Sequence, residues 1–113
     1  MTSTAGFASS SVTAQSWEPH VEDGRATGEV HWLVQSEDGT MSGLWRIGLE
    51  EGAEFPYKPE ASDTFHAIEG EAELETPDGE KIELVAGGIY SFPAGFTATW
   101  RTRSPFLKFF VVA

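Results

Sequence analysis

From Trp17 onward the chain is punctuated by glycine at Gly28, Asp38-Gly39, Gly52, Gly70, Asp78-Gly79, Gly87-Gly88 and Gly95. Glycine and Asp-Gly supply the positive φ angles that turns need, and the intervals between them suit short strands. The intervening segments alternate with a period of two. In EVHWLV, Val30, Trp32 and Val34 share one face, while Glu29 and His31 share the other. Trp45, Ile47 and Leu49 line up in LWRIGL, Ala72 and Leu74 oppose Glu71, Glu73 and Glu75, and Ile82 and Leu84 oppose Glu83. Asp78-Gly79, between ELET and EKIEL, predicts a hairpin closed by a tight primed turn. No segment carries a helical stripe, so the expected architecture is an all-β sandwich or small barrel. The closing FLKFFVV is apolar on both faces and predicts a strand covered on both sides, at the interface of a homodimer.

A chain of 113 residues fits one domain and can bury a core without staples. Residues 1–16, rich in Ser, Thr, Ala and Gly, read as a flexible N-terminal arm, and residues 17–113 as the folded domain. Eighteen acidic against seven basic residues give a formal charge of -11, which repels phosphate backbones and anionic lipid, so neither nucleic acid nor membrane is an expected partner. Cysteine is absent, which excludes disulfides and thiolate chemistry and agrees with a reducing compartment. The opening MTSTAGFASSSVTAQSW has neither a basic n-region nor an apolar h-region, and the expected location is the cytoplasm.

Two segments make the fold more specific. DTFHAIEGEAELETPDGEKIELVAGG followed by IYSFPAGFTATWRTR resembles the two linked motifs of the cupin superfamily. Six residues lie between Asp63 and Gly70, and five between Gly87 and the turn Pro93-Ala94-Gly95. Within the superfamily, GEVHWL, GLWRIGLEEGAEF and TWRTRSPFLKFF resemble the small single-domain cupins of the ureidoglycine aminohydrolase type, over residues 28–112. The resemblance implies a double-stranded β-helix, the jelly-roll barrel of cupins, with its site inside.

In metal-binding cupins the first motif supplies two His and a Glu, and the second another His. Here the His positions of the first motif fall on Tyr57 and Pro59, on Pro56 and Lys58, or on Lys58 and Glu60, depending on the spacer. The Glu position is Asp63, the second-motif His position is Ala98, and an Asn that sometimes follows is Thr102. One carboxylate is too few for a tight transition-metal centre, so no metal and no other cofactor is expected.

Parity turns Asp63, Phe65 and Ala67 inward from the first motif, and Ala98, Trp100 and Thr102 from the second. With Trp32, Trp45 and Phe110 as further wall, these outline an aromatic, weakly polar ligand pocket, although aromatics also simply fill small barrels. Replacing an imidazole by the methyl of Ala98 leaves volume for a ligand or water unless Trp100 covers it. Lys108 shares a face with Phe106, Phe110 and Val112; it either snorkels at a strand end, the favoured reading, or pairs with Asp63. Arg101 is a further candidate anchor for an anion, and Tyr57 and Lys58 can reach the pocket mouth. His20 reads as part of a solvated acidic loop, His31 as an exposed cross-strand partner, and the run Glu69, Glu71, Glu73, Glu75 as a solvated face. His66, offset by three from Asp63, points away from the cavity, and becomes an acid/base candidate only if a bulge shifts the register.

The favoured function is a small-molecule-binding cupin, metal-free, with Asp63 as acid/base group and Tyr57 and Lys108 as helpers, in isomerase, cyclase or lyase chemistry. A non-catalytic binding or sensing module is the alternative. A metal-dependent aminohydrolase stands behind both, because its ligands are missing.

Overall fold

The computed structural model describes residues 7–49 and 54–113. Gly52 and the first six residues of the N-terminal arm lie outside the described residues. Among the described residues ten strands run in chain order: β1 Glu18–Glu22, β2 Arg25–Gln35, β3 Met41–Ile47, β4 Glu54–Tyr57, β5 Asp63–Glu69, β6 Glu71–Glu75, β7 Lys81–Val85, β8 Ile89–Phe92, β9 Ala98–Thr102 and β10 Phe106–Val112. Six form one antiparallel sheet in the order β1-β2-β3-β10-β5-β8, and four form a second in the order β4-β9-β6-β7. Among the described residues there is no helix long and apolar enough to cross a membrane.

Alternation packs the two sheets together. Each inner face offers every second residue: Phe65 and Ala67 from β5, Ala72 and Leu74 from β6, Ala98 and Trp100 from β9, Phe106 and Phe110 from β10, all buried. Trp100, without exposed surface, is the hub. It meets Trp45 and Phe106 edge-on with ring centroids 5.3 and 5.2 Å away, and stacks on Phe55 at 5.8 Å. Tyr57 and Phe65 close on it at 5.7 and 6.3 Å. These separations suit attractive offset and edge-to-face pairs, so much of the barrel interior is filled by rings.

The glycines act where backbone comes closest. Gly70, at φ 90°, joins β5 to β6; a Cβ there would lie 2.1 Å from the Pro105 carbonyl oxygen, so no other residue fits without displacing backbone. The Asp78-Gly79 hairpin forms, but not with the tight primed turn. The loop runs from Thr76 to Glu80, with the Thr76 N–H donating to the Glu80 carbonyl and the Gly79 N–H to that of Thr76, and only Gly79 is left-handed. Ser36 to Thr40 repeats the same two bonds around Asp38-Gly39. In both, a Ser or Thr begins the loop and its bonds replace those a two-residue turn would make.

Two details of the alternation differ from expectation. β2 pairs Trp32 with Gly43 but Val34 with Ser42, so an extra residue at Leu33 moves Val34 off the face of Trp32. β3 ends at Ile47, and Leu49 beyond it is half exposed rather than a third core residue. The run of glutamates is not uniformly solvated either. Glu73 is buried on the outer face of the four-stranded sheet, where its carboxylate accepts from both Arg101 and Arg103. Arg101 also holds Glu75 at 2.5 Å and Glu54 at 3.3 Å, so this guanidinium belongs to a surface ion network and not to the interior.

β10 lies between β3 and β5 in the centre of the larger sheet. Its inner residues Phe106, Lys108 and Phe110 are buried; its outer residues Leu107, Phe109 and Val111 are half-buried. Segment 10–17 lies against β2: His31 bonds the Ser10 hydroxyl and the Ser16 carbonyl, each at 2.7 Å, and the Trp17 ring sits 5.8 Å from the imidazole.

Candidate functional site

The polar centre of the barrel is built by three strands. Asp63 opens β5, where its backbone neighbours are Val112 of β10 and Phe92 of β8. The residue before it is pinned to the chain's end by reciprocal bonds between Ser62 and Ala113, at 3.1 and 3.0 Å. Tyr57 closes β4 opposite Ala98. The loop after it is tied down by the Gly95 N–H, which donates to the Pro59 carbonyl at 3.0 Å, while the Phe96 N–H closes the Pro93 turn. Lys108 projects inward from β10 between Trp45 and Ala67. The methyl of Ala67 leaves the lysine stem its room.

These three meet. The Tyr57 hydroxyl donates to Asp63 Oδ2 at 2.5 Å, and Lys108 Nζ lies 3.7 Å from the same oxygen. The Lys108 and Asp63 side chains are 8 and 9 % exposed, which overturns the snorkelling reading of the lysine. Its ammonium sits over the faces of Phe65 at 4.1 Å, Trp45 at 5.0 Å, Trp100 at 5.1 Å and Tyr57 at 5.7 Å. A strand-end lysine snorkels only if water lies within reach of its stem; here β10 is central in its sheet and the stem points at the second sheet.

Burial dominates the titration of Lys108 and Tyr57. It pushes the Lys108 ammonium below the ordinary lysine value, against the opposing pull of the Asp63 and Glu22 charges. It raises the Tyr57 phenol, and the Asp63 charge, the hydrogen bond to it and the Glu22 charge raise it further. Among the described residues nothing donates to the second carboxylate oxygen, Asp63 Oδ1, which is buried. A buried acceptor left without any donor costs about 1–3 kcal/mol.

His20 and Glu22 lie on a strand, although the sequence points to a solvated acidic loop. Residues 18–22 form edge strand β1, and His20 is half-buried with a ring nitrogen 2.9 Å from Glu22 Oε1. Burial lowers its pKa, Glu22 opposes that, and the Lys108 charge lowers it again. The segment was hard to recognise because EPHVE has few apolar residues; the pairing of Glu18 with Val30 and Glu22 with Arg25 makes it a strand.

The remaining candidates separate into wall and exterior. Trp45, Phe65, Ala98, Trp100 and Phe110 line the interior, and Trp32 meets Phe110 edge-on at 5.9 Å. Thr102 accepts from the Trp100 indole at 3.0 Å, so its hydroxyl satisfies a buried ring. Lys58 is exposed. His66 is exposed, with β5 running beside β8 in unbroken register, so no bulge turns it inward. The volume beside Ala98 meets the Tyr57 ring, which packs on Phe92, Phe96 and Trp100. An open groove of about 510 Å³ lies elsewhere, bordered by Trp17, Arg46, Gly48 and Phe106.

A match to the EutQ-like cupin domain spans residues 36–110. The chain belongs to the EutQ-like cupin family. Solved structures agree in fold. A putative ethanolamine utilization protein Q from Salmonella typhimurium is 19% identical, over 86% of this chain and 93% of its own, with a TM-score of 0.64. A DUF861 family protein from Thermotoga maritima is 26% identical over 62% of this chain and 76% of its own, TM-score 0.58. A cupin superfamily protein from Desulfitobacterium hafniense is 18% identical over 81% and 82%, TM-score 0.63. No curated protein matches the chain. The described residues do not fit the metal that many cupins hold. Among the described residues no three His, Asp or Glu side chains converge as a ligand set. The motif carboxylate Asp63 instead faces the phenol of Tyr57 and the ammonium of Lys108.

Proposed function

We propose that this EutQ-like cupin binds a small organic molecule at the Asp63–Tyr57–Lys108 cluster and acts there without a metal, with Asp63 as the acid/base group. The observation that carries the reading is Asp63 Oδ1, a buried acceptor with no donor, beside an ammonium and a phenol in an aromatic interior. A ligand that donates to Oδ1 recovers the hydrogen bond the protein leaves unmade. Asp63 and Lys108 can pass a proton between them while Tyr57 holds the carboxylate in place, which suits isomerase, cyclase or lyase chemistry. The net charge of -11 favours a small molecule over nucleic acid. The alternative, a binding or sensing module, shares the pocket and lacks the turnover; an aminohydrolase reading lacks its metal ligands.

Native mass spectrometry of the purified protein, followed by identification of any released compound, tests the reading. Asp63→Asn keeps the shape and removes the charge. In an enzyme it abolishes turnover and leaves affinity largely intact; in a binding module only affinity changes. If a folded Asp63→Asn and a folded Trp100→Ala retain ligand binding and any activity, the interior is not the site.

A further inference from the structure

The buried lysine does more in this arrangement than balance a charge. We propose that Lys108 forms an imine with a small uncharged carbonyl compound, an aldehyde or ketone, inside the barrel; this rests on the ligand-binding reading of the same cluster. Three features support it. The Lys108 side chain is 8 % exposed among four aromatic rings whose centroids lie between 4.1 and 5.7 Å from the nitrogen; the ring faces attract the ammonium, but its loss of water opposes the charge and leaves any bound carbonyl exposed to little water. Burial moves the Lys108 pKa downward, toward the neutral, nucleophilic form. Asp63 Oδ2 lies 3.7 Å from Nζ and accepts from the Tyr57 hydroxyl, so a proton acceptor stands beside the nitrogen and a proton donor is bonded to that acceptor.

The step balances with these groups. The neutral Lys108 amine attacks the carbonyl carbon; a C–N bond forms and the carbonyl π pair moves to oxygen, which takes a proton from the cluster. Asp63 accepts a proton from the nitrogen. The carbinolamine then loses its oxygen as water, with a proton returned from Asp63; the iminium nitrogen gives its remaining proton back to the group that first protonated the oxygen, and the neutral C=N bond is complete. The water carries the carbonyl oxygen and the two hydrogens of the amine. No oxidant or reductant is consumed.

Charge selects the carbonyl class. Once Lys108 is neutral, the cluster retains the Asp63 carboxylate, and the interior walls are aromatic. A 2-oxo acid would bring a further negative charge into that setting, whereas an aldehyde or ketone brings none.

Propanal with cyanoborohydride tests this on the intact protein, the adduct being mapped by peptide mass spectrometry. The reductant converts an imine to a stable propyl amine. Lys108 should be labelled at least about tenfold faster than the exposed Lys58 and Lys81, which are solvated ammonium groups. Pyruvate should label it more slowly than propanal. Lys108→Met should abolish the preferred label, and Lys108→Arg, which keeps the charge beside Asp63, guards against a loss caused by misfolding. Labelling of Lys58 and Lys81 at equal or greater rates, with Lys108 untouched in folded protein, overturns the proposal. Propan-1-ol, which has no carbonyl, separates the two readings through the NMR shifts of the interior rings. Ring shifts without trapping leave the pocket and sink the imine; neither shift nor trapping sinks both.

Discussion

Removing one partner of the buried pair while leaving the other tests whether the cluster is the coupled unit described above. In Lys108→Met the stem is kept in shape, but Asp63 stays buried with only the Tyr57 hydroxyl as partner. A charge left behind in this way costs about 3–5 kcal/mol. The distance agrees with that order: at 3.7 Å and an effective dielectric constant near 20, the attraction alone is roughly 4 kcal/mol. For a domain of this size each 1 kcal/mol moves Tm by about 4–8 °C, so a loss of ~3 kcal/mol lowers it by roughly 12–24 °C. Asp63→Asn should also destabilise, because it strands the ammonium among rings. The double variant Asp63→Asn/Lys108→Met removes both charges and should lose about 2 kcal/mol or more less than the two single losses added together. Urea unfolding of the four proteins, with fluorescence of the interior tryptophans as the probe, measures all the terms. If the single losses add without coupling, or if Lys108→Met is as stable as the parent, the two groups do not interact in the folded protein and the site is misdrawn.

Tyr57→Phe removes a hydrogen bond to a charged group and should cost about 1.5–3 kcal/mol in the same assay at neutral pH. Because the folded Tyr57 phenol titrates above its ordinary value of 10.0, its contribution to stability is present below pH 10 and is lost as pH rises further, so Tyr57→Phe should show a shallower alkaline decline. His20 titrates below its ordinary value of 6.5, chiefly through burial, so the unfolded chain takes up the proton first and stability falls as pH drops from there; an NMR titration of its ring should have a midpoint below 6.5, and one above it would refute the half-buried placement of His20. Elemental analysis of the purified protein is expected to find no stoichiometric transition metal, and one ion per chain lost on mutating Asp63 would refute that. A homodimer is expected in light scattering at micromolar concentration, because Leu107, Phe109 and Val111 leave an apolar stripe half-buried and Ile89 stands exposed beside it; a monomer that persists on concentration would count against it.

The all-β architecture is legible in the chain because its evidence is local. Period-two alternation and glycine at turns are read from neighbours in sequence, and the motif spacings around Asp63, Gly70 and Pro93 depend on short separations along one chain. Parity carried this as far as an inward Asp63, Trp100 and Lys108. It failed where one residue changes parity, as Leu33 does for Val34, and where composition misleads, as EPHVE does for β1. What only the tertiary structure decided is which groups meet. Whether Lys108 reaches water or Asp63 depends on β10 lying between β3 and β5 with the second sheet across from it. Whether Glu73 is solvated depends on Arg101 and Arg103 closing over it from a strand far along the chain. An alternating pattern specifies on which side of a strand a side chain lies, but the desolvation and charge that determine its chemistry come from partners that only folding brings within a few ångströms.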